Sequence, residues 1–320
     1  MSSNKGVLLS VVVPVYNEGP NLEEFNKSLT ASADIAADGS YEIIYCDDGS
    51  TDNTSSIIRN LIKQNKKISL LSLSRNFGKE IATTAGIHHA VGRAIMTIDA
   101  DGQHPVELII KFVNKWQRGA KVVVGIRTAN RDEGFIKKIG SSWFYKIFNR
   151  LTGLKLVPGS DYRLIDHTVQ QEFNQMSEHS RIIRGMVDWL GYEREFIHFK
   201  ANSRMSGDAG YSLHKLVKLA VDSVISMSKS PLYLSAYLGG IIVPLSVLIG
   251  LFMVGDAVLS DPLNLNATGS AYLVVLLVFL VGILLVSQAI IGLYLSHIHT
   301  ETQNRPLYII DNQKSVGIND

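Results

Sequence analysis

From Ser230 to Ser296 the chain contains no Lys, Arg or Glu, and Asp256 and Asp261 are its only charges. Two apolar stretches fill this interval, Leu232–Leu259 and Ala271–Ser296. Each exceeds the ~20 residues that a helix needs to cross a bilayer. A polar link, Ser260-Asp261-Pro262-Leu263-Asn264, separates them and reads as a short loop. Two such runs are rare in a soluble core, so the pair predicts a two-helix transmembrane hairpin rather than a buried one. The loop has no basic residue, whereas Lys215, Lys218, Lys229 and Arg305 flank the pair. The positive-inside rule then assigns both termini to the cytoplasm. Ser235-x-x-x-Gly239 and Ser246-x-x-x-Gly250 allow helix backbones to approach closely in lipid and predict a homo-oligomer.

The first 130 residues have a different grammar. Apolar runs predict strands at Leu8–Val15, Tyr41–Cys46, Ile68–Leu73, Ala94–Ile98 and Lys121–Ile126. Helical patterns fall between them at Asn21–Ala37, Asn53–Gln64, Lys79–Ala90 and Pro105–Gln117. Strands alternating with helices imply an α/β domain with a parallel sheet covered on both faces. The apolar run near the N-terminus lacks a small-residue cleavage pattern and reads as the first strand, not a signal peptide.

Ligands of such folds bind at the carboxyl ends of the strands. Three polar clusters fall there: Tyr16-Asn17-Glu18, Asp47-Asp48-Gly49-Ser50 and Asp99-Ala100-Asp101. Asp99 and Asp101 lie on the same side of an extended segment, and crowded carboxylates repel unless a cation neutralises them. Mg²⁺ or Mn²⁺ takes one or two carboxylates and completes its shell with phosphate oxygens, so the pair reads as a metal–diphosphate site. No G-x-G-x-x-G follows the first strand and no G-K-[ST] occurs, which argues against a dinucleotide dehydrogenase and a P-loop NTPase.

Charge and cysteine use narrow the setting. Residues 1–229 hold 29 Lys+Arg against 24 Asp+Glu, while the whole chain has a net charge of only +2, so nucleic acid is not an indicated partner. A single cysteine, Cys46, excludes an internal disulfide and reads as an inert core thiol. Phe135, Ile136, Ile139, Trp143, Phe144, Ile147 and Phe148 share one face of a helix at 133–150, with Lys137, Lys138, Ser141, Lys146 and Arg150 opposite. That is the pattern of a helix lying in the headgroup plane, or of one docked on the protein's own core. A second amphipathic segment at 211–229 leads into the first span. His88, His89, His104, His297 and His299 have no partners at ligand spacing and read as ordinary helix, turn and juxtamembrane positions. The resulting organisation is a cytosolic domain at 1–210, a juxtamembrane helix at 211–229, two membrane helices at 230–296 and a cytosolic tail at 297–320.

Ser10-Val-Val-Val-Pro-Val-Tyr-Asn-Glu18, Asp47-Asp-Gly-Ser-Thr-Asp52 and Asp99-Ala-Asp-Gly-Gln-His-Pro105 occur in order. Together they resemble the inverting GT-A glycosyltransferases of the family-two type. Ser74-Arg-Asn-Phe-Gly-Lys79, Asp161-Tyr-Arg-Leu164 and the C-terminal spans make the chain most similar to polyprenyl-phosphate glycosyltransferases, the dolichol-phosphate mannose synthase and bactoprenol glucosyltransferase group.

The resemblance implies a Rossmann-like, mostly parallel GT-A sheet. It implies that Pro14, Tyr16, Glu18, Asp47, Asp48, Asp99, Ala100 and Asp101 hold the nucleotide sugar. Asp99, Asp101 and Gln103 would bind Mg²⁺ or Mn²⁺, with Asp101 and Asp161 in catalytic roles. Arg127, Lys137, Ser141 and Arg204 would receive the acceptor phosphate; without the resemblance, Arg127 reads as a solvated charge at a strand end. A phosphate monoester is largely dianionic at neutral pH, its second pKa being ~6, so the acceptor scarcely needs Asp161 as a base. Ala209-Gly210-Tyr211 replaces the usual Ser-Lys-Tyr, leaving Arg204 as the surviving cation of its loop. The expected reaction is transfer of one sugar, glucose from UDP-glucose, onto undecaprenyl phosphate at the cytoplasmic face of the inner membrane. GDP-mannose is the alternative donor. A processive polysaccharide synthase and a non-catalytic nucleotide-sugar binder or lipid carrier are the rival readings. The processive one lacks support because no Gln-x-x-Arg-Trp motif is present.

Overall fold

The computed structural model describes residues 6–128, 161–200 and 269–318, together with isolated positions between 237 and 248. The segments 133–150 and 211–229 lie outside the described residues, as do Lys137, Ser141, Arg204, Asp256, Asp261 and the Ser235/Gly239 and Ser246/Gly250 pairs. The chain divides into two compact units, Met1–Ser212 with Arg305–Asp320, and Leu213–Asn304.

The first unit is built on seven strands: β1 (Leu9–Val15), β2 (Tyr41–Asp47), β3 (Ile68–Ser72), β4 (Ala94–Thr97), β5 (Val122–Arg127), β6 (Arg163–Asp166) and β7 (Arg194–Phe199). Helices α1 (Leu22–Ala36), α2 (Thr54–Gln64), α3 (Lys79–His89) and α4 (Ile109–Gln117) alternate with the first five strands. Short helices α5 (His167–Gln175) and α6 (Ile183–Trp189) follow β6. The strand order is β3-β2-β1-β4-β6-β5-β7. Strands β1–β4 pair in parallel and so do β5 and β7, but β6 runs antiparallel between β4 and β5. The sheet is therefore mixed but mostly parallel, as the resemblance implied, with β6 as its antiparallel member.

The near-continuous apolar strands follow from burial on both faces. Val11, Val12, Val13, Ile43, Leu70 and Met96 are fully buried. Helix α3 lies unusually close to the sheet: a Cβ on Gly86 would meet Val12 Cγ1 at 2.3 Å and Cys46 Sγ at 2.5 Å. Cys46 is thus sealed between helix and sheet, and burial pushes its thiol pKa well up. Asp166 ends β6 and caps α5 by accepting from Thr168 N–H at 3.0 Å. It also accepts from Trp116 Nε1 (2.7 Å) and Lys121 Nζ (2.9 Å).

Burial alone would raise the Asp166 carboxyl, but hydrogen bonds from Thr168, Lys121 and Trp116 outweigh it and pull the pKa down to about 2. A depressed carboxylate contributes stability that is fully present above its unfolded value and is lost as pH falls through the folded one. Discounted for solvent screening of the half-exposed Lys121 partner, this corresponds to about 1 kcal/mol at neutral pH. Asp166→Asn should therefore lower the thermal midpoint by several degrees at pH 7, with the gap from wild type closing between about pH 4 and pH 2. Equal gaps at pH 7 and pH 3 would contradict the assignment.

In the second unit, α7 (Gly269–Thr302) is apolar along most of its length. Its part Phe279–Thr302 is long and apolar enough to cross a membrane. Tyr237, Gly240, Ile241, Pro244 and Leu248 are also helical, within the first predicted span.

Candidate active site

The chain order reverses at β1, flanked by β2 and β4, and the carboxyl ends of these three strands converge on one cleft. Open α/β sheets bind ligands at such a switch point. The three loops are fastened to one another. Asn17 Oδ1 accepts from Thr51 N–H (2.9 Å), and Glu18 N–H donates to Thr54 Oγ1 (3.0 Å), joining the loops after β1 and β2. Asp48 accepts from Phe77 N–H (2.7 Å) and Gly78 N–H (2.8 Å), joining the loops after β2 and β3. Gly49 sits at φ +75°, where a Cβ would lie 2.7 Å from the Arg75 carbonyl carbon, so only glycine lets these loops close.

The cleft has a volume of ≈ 340 Å³ and is lined by Pro14, Tyr16, Glu18, Asp48, Lys79, Asp99, Ala100 and Asp101 among others. Most of the nucleotide-side residues expected from sequence are thus brought together. Asp47 is placed differently: its carboxylate accepts from Ser50 N–H (2.9 Å) and from the Ser55 hydroxyl, fastening the turn into α2. Tyr16 leaves 45% of its surface exposed at the mouth. Burial raises the Asp48 pKa, and the two backbone N–H bonds only partly offset it.

Asp161 reaches a recess beside the cleft because β6 is antiparallel. A strand inserted that way starts where its parallel neighbours end, and Arg163 pairs with Thr97, the last residue of β4. Thr97 Oγ1 donates to the Asp161 carbonyl at 3.0 Å. Asp161 and Asp99 are then bridged by one cation. Lys79 Nζ lies 2.7 Å from Asp99 Oδ1 and 3.3 Å from Asp161 Oδ2. Burial works against a charged Lys79, but the two carboxylates outweigh it and raise its pKa above the ordinary value. Burial likewise works against the Asp161 carboxylate, and Lys79 and Arg184 outweigh it, holding that carboxyl below its usual range. A smaller recess beside Asp99 and Asp161 is lined by Glu80, Arg163 and Arg184. There Glu80 accepts from Ile183 N–H (2.9 Å), and burial together with Asp161 raises its pKa.

Asp101 Oδ1 accepts from Gln103 N–H (3.0 Å), and Arg127 Nη1 donates to Gln103 Oε1 at 3.3 Å. Arg127, expected on the acceptor side, is therefore adjacent to the expected cation site. Its Nε is buried without a hydrogen-bond partner among the described residues. His104 stacks on Tyr162 with ring centroids 4.9 Å apart, and its Nδ1 accepts from Asp99 N–H at 3.4 Å. Burial lowers its pKa, in keeping with a neutral accepting ring.

Among the described residues no three His, Cys, Asp or Glu side chains gather into a metal cage. A diphosphate-bridging cation needs none, because phosphate oxygens complete its shell. The donor chemistry fits such an ion: two carboxylates and an amide oxygen, all hard ligands. Charge fits it too, since Glu18, Asp48, Asp99 and Asp101 line the cleft against Lys79, a surplus that repels any unaccompanied diphosphate.

Lys79, Glu80, Arg163 and Arg184 were not anticipated as site residues. The available signal was Lys79, which closes the Ser74–Lys79 motif and opens a helix directly after a strand-end loop.

Residues 10–172 match the model of the glycosyl transferase family 2. A glycosyltransferase of Synechocystis sp. is 37% identical, with 95% of each chain covered. The bactoprenol glucosyl transferase of Shigella phage SfV is 33% identical over 96% of this chain and 99% of that one. Among solved structures, mannosyl-3-phosphoglycerate synthase from Rubrobacter xylanophilus superposes with a TM-score of 0.51 at 16% identity, covering 69% of this chain and 72% of that one. This last likeness concerns the GT-A fold alone.

Proposed function

The chain belongs to glycosyl transferase family 2, and from that premise we propose that it moves one glucosyl unit from UDP-glucose to a polyprenyl phosphate, with inversion. The observation that carries this reading is the convergence of Asp48, Asp99, Asp101 and Lys79 on one cleft in a chain that also has a membrane-length helix. The relatives named as bactoprenol glucosyl transferases support the acceptor class and the sugar.

In this reading Tyr16 offers an exposed aromatic face to the base, and Asp48 holds the nucleoside side of the cleft. Asp99, Asp101 and Gln103 would hold Mg²⁺ or Mn²⁺, which neutralises charge on the departing diphosphate. Arg127, whose buried Nε has no partner among the described residues, meets the acceptor phosphate beside Gln103. Asp161, kept ionised by Lys79 and Arg184, orients the acceptor or the sugar hydroxyls, since a phosphate dianion scarcely needs a base. Attack from the face opposite the diphosphate turns an α-linked donor into a β-linked product. Lys137, Ser141 and Arg204 remain assigned to the acceptor by resemblance.

The same reading assigns the catalytic unit and both termini to the cytoplasmic face of the inner membrane, and the chain to a homo-oligomer. Residues 305–320 belong to the same compact unit as 1–212, which supports an even number of crossings between them. With α7 as one crossing, the apolar run Leu232–Leu259 supplies the other.

A thermal-shift screen of UDP-glucose, GDP-mannose and UDP-aminosugars with Mn²⁺ tests the donor. UDP-glucose should give the largest upward shift, and only with the cation. A larger shift with GDP-mannose would reassign the donor. Arg127→Ala should raise the KM for polyprenyl phosphate roughly tenfold with donor affinity unchanged, because it removes a charge-assisted contact. Loss of UDP binding with normal lipid affinity would contradict the acceptor assignment.

A further inference from the structure

After α7 the chain returns to the first unit, with only Gln303 and Asn304 intervening, and Ile309–Val316 run along the outer edge of β3. The pairing is antiparallel, through bridges Leu70↔Val316 and Leu73↔Ile310. Leu70 and Val316 exchange both backbone hydrogen bonds at 2.9 Å. Asp311 N–H donates to Ser72 O (2.8 Å), Ser74 N–H to Ile309 O (2.9 Å) and Ser72 N–H to Ser315 Oγ (3.1 Å). The tail thus consumes the unpaired polar groups that make a sheet edge sticky.

Its contacts fall at both ends of one functional segment. Ser74 is the root of the loop whose Phe77 and Gly78 N–H groups bind Asp48, and Lys79 follows directly. At the far end of α3, His88 Nδ1 and the Tyr308 hydroxyl lie 3.0 Å apart, and the two rings are tilted with centroids 5.9 Å apart. We propose that the C-terminal tail is a positioning strap for the donor side of the active site. It pins Ser74 and His88, and so fixes the loop that clasps Asp48 and the helix that delivers Lys79. Because it continues directly from α7, the element that sets the donor loop is covalently joined to the membrane-length helix. The functional half of this proposal rests on the cleft being the nucleotide-sugar site.

The strap is tested in the full chain with Asp311→Pro/Val316→Pro, which removes two backbone donors from the edge pairing and touches no cleft residue. Hydrogen exchange should accelerate in both the tail and Ser74–Gly78. KM for the donor should rise about tenfold, with kcat within threefold of wild type. Asp311→Asn keeps the N–H and should match wild type. If the double variant does not fold, Tyr308→Phe and Ser315→Ala decide: each should raise the donor KM about threefold. Accelerated exchange in the tail, with Ser74–Gly78 and donor KM unchanged, would overturn the proposal. If the intact chain binds no nucleotide sugar, the donor reading fails, and exchange at Ser74–Gly78 still decides whether the tail restrains the loop.

Discussion

Asp99→Asn and Asp101→Asn should each cut transfer about a thousandfold while leaving the fold intact. The size follows from where the charge develops. As the sugar leaves, negative charge gathers on the nucleoside diphosphate, and removing one electrostatic stabiliser from such a site costs on the order of 10²–10³ in rate. Asp101 has a second task, because its Oδ1 holds the Gln103 turn. An amide oxygen can still accept that bond, so Asp101→Asn isolates the loss of charge. Neither residue lies in the hydrophobic core, so thermal midpoints should move by no more than a degree or two. Titration calorimetry should find Mn²⁺-dependent UDP binding abolished in both variants. Full activity in either would remove its carboxylate from the cation site.

Lys79→Met has two expected effects of opposite sign. In the present structure the Lys79 ammonium already sits on Asp99, at 2.7 Å, in competition with any incoming divalent ion. Removing it should tighten Mn²⁺ binding in the absence of nucleotide, by about tenfold. The same change strips Asp161 of the cation that bridges it to Asp99 and leaves two carboxylates facing each other, so kcat should fall about a hundredfold. Mn²⁺ affinity is read by electron paramagnetic resonance and kcat by product formation. Weaker Mn²⁺ binding together with lower kcat would mean that Lys79 organises the carboxylates instead of competing for them.

The part of this site built on β1, β2 and β4 was legible in the chain, because long apolar runs ending in Asp or Glu can form only buried strands with polar mouths. Strands Tyr41–Asp47 and Val122–Arg127 begin and end within a residue of their expected limits for that reason. Strand β6 was not legible. Four residues that include a charged Arg163 give no alternation to follow, and the partners that let Arg163 be buried, Asp188 at 3.6 Å and the Arg184 carbonyl at 3.2 Å, come from a helix later in the sequence. Lys79 opens the expected helix Lys79–Ala90 with no site role to be read from that position, since the Asp161 carboxylate just ahead of β6 arrives beside it through tertiary pairing. Asp47 and Asp48 are adjacent and chemically identical, and only the backbone decides that Asp48 faces the cleft while Asp47 ties a turn. The tail carries a short apolar run, Leu307-Tyr308-Ile309-Ile310, too brief to announce an edge pairing.

Transfer of one sugar to a lipid phosphate leaves a product that can be read from the lipid fraction. Purified full-length protein is incubated with UDP-glucose, Mg²⁺ and undecaprenyl phosphate, and the lipid fraction is examined by mass spectrometry and anomeric NMR. The expected product is undecaprenyl phosphate bearing a single β-linked hexose, absent when the divalent cation is chelated. No lipid-linked sugar with any of the common nucleotide sugars, or a polymer in place of a single residue, would contradict the account.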